Sequence, residues 1–125
     1  MYRILIADDE DLIRTLIREM IEMVDLPDGR TIDILEASNG EEAYEVLHKE
    51  QFDLLITDLN MPKLEGNDLI GKLTLNREVL PKHIIVVSGL ISISEEDRKI
   101  DNVYFFSKPF TDELYPVLEE LIGQA

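Results

Sequence analysis

The stretch "ILIADDED", residues 4–11, joins four apolar residues directly to four acidic ones. With Tyr2 and Arg3 before it, the run "YRILIA" (2–7) reads as a strand that ends abruptly in the adjacent carboxylates of Asp8 and Asp9. Ile4, Leu5, Ile6 and Ala7 follow one another without polar alternation, the pattern of a strand covered on both faces in a parallel sheet. Two neighbouring carboxylates repel each other, so their position at the end of a buried strand asks for a use.

Outward from this stretch, four further apolar runs read as strands: "TIDILEA" (31–37), the weakest, then "FDLLIT" (52–57), "HIIVVS" (83–88) and "VYFFS" (103–107). Amphipathic segments separate them. In residues 11–24 the periodicity places Leu12, Ile13, Leu16, Ile17, Met20, Ile21 and Val24 on one stripe. Residues 41–49 carry Ala43, Val46 and Leu47, with Ser38 and Glu41 resembling a capping box. Residues 65–75 carry Leu69, Ile70 and Leu73; 94–100 form a short segment that Ser94 caps; 111–123 carry Leu114, Val117, Leu118, Leu121 and Ile122. Pro116 predicts a kink or a late start in this last helix. The connection "DLPDGRT" (25–31) is rich in turn residues and is the longest loop expected outside the strand ends. Strand and helix thus alternate five times. The expected fold is α/β: a doubly wound, five-stranded parallel sheet in a single domain spanning residues 1–125.

Composition narrows the function classes. A chain of 125 residues with 45% hydrophobic residues buries an ordinary core without disulfides, and it has no cysteine, which is compatible with a reducing, cytoplasmic setting. No apolar run approaches the ~20 residues of a membrane span, so no membrane insertion is expected. The acidic start is not that of a signal peptide. A net charge of −15 is repelled by nucleic acid phosphates and anionic membrane surfaces, so direct nucleic acid binding is not expected.

Ligands of such a sheet bind beyond the carboxyl ends of its strands. There the sequence puts Asp8 and Asp9 after the first strand, Asp58 and Asn60 after the third, Ser88 at the end of the fourth and Lys108 after the fifth. Three carboxylates ~5 Å apart repel by a few kcal/mol per pair even at an effective dielectric near 20. That cost suits a divalent cation, and oxygen donors without His or Cys point to Mg²⁺ or Mn²⁺ rather than zinc. His48 and His83 read as structural or surface residues. A bound cation admits an anion: one carboxylate attacks phosphorus to give an aspartyl phosphate, Lys108 neutralises a phosphoryl oxygen and the Ser88 hydroxyl bonds another. Asp58 is the strongest nucleophile candidate, because it precedes the proline-bearing loop "LNMPKLEG" (59–66).

The ordered set "ILIADDE", "DLLITDLNMPKLEG", "IIVVSG" and "FFSKPF" resembles the receiver domains of two-component response regulators over essentially the whole chain. The resemblance implies a flavodoxin-like three-layer sandwich with strand order 2-1-3-4-5. It implies that Asp58 is the phosphoacceptor and that Asp9 binds Mg²⁺ directly, Asp8 partly through water and Asn60 through its main-chain carbonyl. Ser88 is then the switch hydroxyl, Lys108 the phosphate-binding lysine and Phe105 the aromatic switch residue, here without a hydroxyl. The implied donor is a histidine kinase or histidine phosphotransfer protein, and the output is an unknown downstream protein target. The implied role is phosphoacceptor rather than metabolic enzyme.

The chain also departs from the family pattern. Residues 90–102 look short, which bears on the usual output face, and the connection between the first helix and second strand looks longer than usual. No output domain or basic recognition helix is present in these residues, which fits either a stand-alone receiver or a piece of a larger protein. A flavin-binding module of this topology needs a Ser/Thr-rich phosphate loop where "DDED" stands. An aspartate-nucleophile phosphatase separates its two aspartates by one residue and carries a cap-sized insertion. The remaining alternative is a degenerate receiver acting as a phosphorylation-independent binding module, whose mark, a lost acid or lysine, is not seen.

Overall fold

The computed structural model describes residues 1–27, 29–58, 81–88, 103–107 and 114–123, and only the backbone of Ser88, Val103, Phe105 and Ser107. Strands β1 (Tyr2–Ala7), β2 (Ile32–Ala37), β3 (Leu54–Thr57), β4 (His83–Ser88) and β5 (Val103–Ser107) form one sheet in the order β2-β1-β3-β4-β5. Every pairing is parallel. Helices α1 (Asp11–Glu22), α2 (Gly40–Lys49) and α3 (Leu114–Gly123) complete the described elements. The expected helices at 65–75 and 94–100, the start of the last one at 111–113, and the short region at 90–102 lie outside the described residues. No helix among the described residues is long and apolar enough to cross a membrane.

The unbroken apolar runs follow from the layering. Ile4 and Ile6 of β1, Leu54 and Ile56 of β3, and Ile85 and Val87 of β4 join one core with Ile17 and Ile21 of α1 and Leu118 and Ile122 of α3. The alternate residues Leu5, Ala7, Leu55, Ile84 and Val86 join a second core with Ala43 and Leu47 of α2. Successive side chains of a strand point to opposite faces, so a sheet covered on both sides needs apolar residues at every position. Each fully buried Leu or Ile contributes about 1.5–3 kcal/mol of transfer free energy.

Three details differ from the sequence reading. Leu12 and Leu16 of the predicted stripe are exposed, at 67% and 39%, whereas Ile17 and Ile21 are buried. At 100° per residue Leu16 lies about 100° and Leu12 about 140° around the helix from Ile17, beyond the arc that a sheet covers. The cap of α2 is Asn39, not Ser38: its side chain accepts from the Glu42 N–H at 2.8 Å, while the Ser38 hydroxyl donates to the Glu42 carboxylate. The third strand begins at Leu54 rather than residue 52, although Phe52 is buried. Pro116 lies exposed within the described part of α3.

Candidate functional site

The register brings the strand ends level. Ala7 pairs with Thr57, Thr57 with Val86, Val86 with Phe105 and Ser88 with Ser107. The ladder continues one residue past two of these strands. The Asp58 N–H donates to the Ala7 carbonyl at 3.0 Å, and the Asp8 N–H donates to the Ala37 carbonyl at 3.1 Å. Asp8 and Asp58 are therefore side by side at the carboxyl edge, and both are buried, at 2% and 5% exposure. Thr57, also buried, donates its hydroxyl to the Asp58 carbonyl at 3.0 Å and fixes the chain where it leaves β3.

Asp9 and Glu10 are exposed beside them. Asp8, Asp9 and Glu10 each offer a carboxylate oxygen within 4.8 Å of the others. The Glu10 N–H donates to Asp8 Oδ1 at 2.9 Å, which holds the turn into α1. Repulsion among charges at this spacing amounts to a few kcal/mol per pair at an effective dielectric near 20. An oxygen-only set of this size fits a hard divalent cation.

One cation is built into the same corner. Arg14 of α1 donates Nη1 to the Asp8 carbonyl, Nη2 to the Asp11 carboxylate and Nε to Glu36 Oε1, the last at 3.1 Å. Arg18 donates to the other Glu36 oxygen at 2.9 Å. The acidic turn is thereby tied to α1 and to the end of β2.

Of the residues expected at the site, Asp8, Asp9 and Asp58 meet at this edge; the group within 4.8 Å has Glu10 as its third member. Ser88 ends β4 and Phe105 lies within β5 on the same side of the register. Asn60 and Lys108 lie outside the described residues. Glu10 and Arg14 were not singled out from sequence. The signal for Arg14 was the first basic residue after four acids, three positions on from Asp11, a spacing that brings helix side chains together. His48 is exposed, with Nδ1 2.8 Å from the Tyr44 carbonyl, and His83 opens β4 at the opposite edge.

The family model of the response regulator receiver domain matches residues 4–117. The chain belongs to this family. Receiver domains are the phosphoacceptors of two-component signalling and interact with histidine kinases or phosphotransfer proteins. The chain is 35% identical over 128 residues to the uncharacterized transcriptional regulatory protein YesN of Bacillus subtilis, covering 99% of this chain and 33% of that protein. It is 26% identical to sporulation initiation phosphotransferase F of the same organism, covering 86% of this chain and 82% of that one. It thus spans about a third of the first relative and most of the second. Among solved structures, the receiver is similar to response regulator TrrA of Thermotoga maritima in complex with Mg(2+)-BeF. The TM-score is 0.75 and the identity 29%, with 97% of this chain and 99% of that one covered.

Proposed function

We propose that residues 1–125 form one receiver domain whose phosphoacceptor is Asp58, and that its phosphorylation switches contacts with a downstream protein. The observation that supports this most directly is the pairing of buried Asp58 beside buried Asp8 at the carboxyl edge, with Asp9 next in the chain. An Asp58 carboxylate oxygen attacks the phosphorus of a phosphohistidine. The O–P bond forms as the N–P bond breaks, and the imidazole of the histidine kinase or phosphotransfer protein leaves. Asp8 and Asp9, with Asp58 and the main-chain carbonyl of Asn60, would hold Mg²⁺. When bound, the ion offsets the carboxylate repulsion and the charge of the transferring group. Mn²⁺ has the same preference for oxygen donors and fits the same set.

Lys108, which follows Ser107 of β5 in the chain, pairs with a phosphoryl oxygen. The Ser88 hydroxyl bonds another, and Phe105 fills the space that Ser88 vacates. The change is a shift between two populations and needs a few kcal/mol of differential binding. The expected setting is the cytoplasm, where kinases present phosphohistidine.

Intact mass after incubation with acetyl phosphate, with and without Mg²⁺, tests the assignment. Wild type gains one labile phosphoryl group only with Mg²⁺, and Asp58→Asn gains none. If wild type stays unmodified with both acetyl phosphate and a phosphohistidine donor, the protein is instead a phosphorylation-independent binding module.

A further inference from the structure

Arg14 has no part in the phosphoryl chemistry, yet its bonds converge on the acidic turn. Its main-chain N–H donates to the Glu10 carbonyl at 3.2 Å. Its guanidinium donates to the Asp8 carbonyl, to the Asp11 carboxylate and, at 3.1 Å, to Glu36 Oε1. The side chain is only 12% exposed although it carries a charge. One planar group thus joins the end of β1, the first turn of α1 and β2. Arg18 holds the second Glu36 oxygen at 2.9 Å, which steadies the acceptor in its turn.

Asp8 is the residue that these bonds fix. Its N–H donates to the Ala37 carbonyl at 3.1 Å, its carbonyl accepts from Arg14 and its Oδ1 accepts the Glu10 N–H at 2.9 Å. Two of these anchors hold main-chain atoms on either side of the Asp8 Cα. They set where its carboxylate stands and how the chain continues to Asp9. The clamp answers a specific difficulty. Asp8, Asp9, Glu10 and Asp11 are consecutive acids, and their mutual repulsion favours an open turn when no cation is bound.

Charge alone gives Arg14 no use here, because a guanidinium beside a cation site repels the ion. Its benefit to the site is geometric: a turn already in place need not be ordered when the ion binds. A fixed fork of five N–H donors reaches several acceptors at once, which the point charge of a lysine on its flexible stem does not. We propose that Arg14 is a positioning residue for the divalent cation: by tying the Asp8 carbonyl to α1 and β2 it presets the Asp8–Asp9 turn and raises its affinity for Mg²⁺. This inference rests on the reading of the edge as the Mg²⁺ site.

Amide NMR titration of the whole chain with Mg²⁺ gives dissociation constants for wild type, Arg14→Lys and Arg14→Gln. Loss of a group that orients metal ligands weakens binding about 10- to 100-fold. Arg14 acts through the main chain, so the lower end, about tenfold, is expected for both variants. Without the ion, the Glu10 amide exchanges faster in both, while amides in the middle of β1 and β3 keep their wild-type protection. The sign of the effect separates positioning from charge. A purely electrostatic role leaves Arg14→Lys unchanged and tightens binding in Arg14→Gln; either result overturns the proposal. Faster exchange throughout the sheet also overturns it, since Arg14 would then support the fold as a whole. If Arg14→Gln does not fold, Arg14→Lys, which keeps the charge, decides alone. If wild type itself does not bind Mg²⁺ at tens of millimolar, the metal reading of this edge falls and the role of Arg14 with it.

Discussion

The two edges of the sheet are made by the same three strands and have opposite chemistry. β1 runs from Tyr2 to the residue before Asp8, β3 leads to Asp58, and β4 runs from His83 to Ser88. The carboxyl edge gathers Asp8, Asp9, Glu10 and Asp58, whereas the amino edge gathers Arg30 and Lys82 around buried Tyr2. At the carboxyl edge carboxylates are accumulated, an oxygen-donor set that suits a divalent cation. At the amino edge a buried hydroxyl and an imidazole nitrogen have no hydrogen-bond partner among the described residues. The lesson is that a rigid parallel sheet holds two mutually repelling or unsatisfied sets apart, and that apolar packing between them supplies the stability both lack.

The strongest way to break this comparison is through the shared core. Ile56 is 1% exposed and lies between the two edges on β3. Ile56→Ala is expected to cost about 2–5 kcal/mol in urea denaturation. A single transition reported by probes at both edges supports one cooperative sheet, and two separated transitions refute it.

Next in size is the response to metal. Mg²⁺ at about a hundred times its dissociation constant stabilises wild type by about 2.7 kcal/mol. Asp9→Asn loses most of that gain, and Tyr2→Phe keeps it. Equal loss in both would show that the edges are not independent.

Alkali separates them in the other direction. The Tyr2 pKa is raised from 10.0 to about 12 in the folded chain, chiefly by desolvation. Its neutral form is thus favoured by folding, so the stability it contributes is intact below pH 10 and is lost as pH rises through 12. The loss is on the order of 1–3 kcal/mol. Tyr2→Phe should remove that part of the pH slope in denaturation curves recorded at pH 9–12; an unaltered slope would assign it elsewhere.

The smallest effects belong to the loops. Asn39→Ala removes the cap of α2 beside the carboxyl edge, and Gly29→Ala forces a side chain onto a φ of +82° at the amino edge. Each should cost about 1 kcal/mol by thermal denaturation. Values differing by more than twofold would show that one loop is held by more than its local geometry.

The sequence carried the sheet and its carboxyl edge well, because both rest on short-range signals. Unbroken apolar runs in β1, β3 and β4 follow from burial on two faces, and the acids immediately after them need no tertiary knowledge to locate. It carried the helix faces less well. Leu12 and Leu16 fit a hydrophobic stripe, yet the width of the covered arc is decided by the sheet beneath and not by the helix. Asn39 outranked Ser38 as the cap because the chain is extended at Asn39, with φ of −155° and ψ of 168°, just where the helix starts. The cleft that Tyr2, Arg30 and His83 line at the amino edge was not legible at all. These residues are far apart in sequence, and each alone reads as an ordinary strand or loop residue.

The loop that walls this cleft is fastened by distant partners. The Tyr115 hydroxyl donates to the Met23 carbonyl at 3.1 Å and Arg30 to the Ile122 carbonyl, two bonds that each join residues 92 apart. A Cβ at Gly123 would sit 3.3 Å from the Asp25 carbonyl, so α3 ends close against the same loop. Contacts of such sequence separation carry the largest loop-closure cost and are made late in folding. During synthesis, the strands from β1 to β3 are complete long before residue 122 leaves the ribosome. The loop at the amino edge is therefore fixed only once α3 has docked against it.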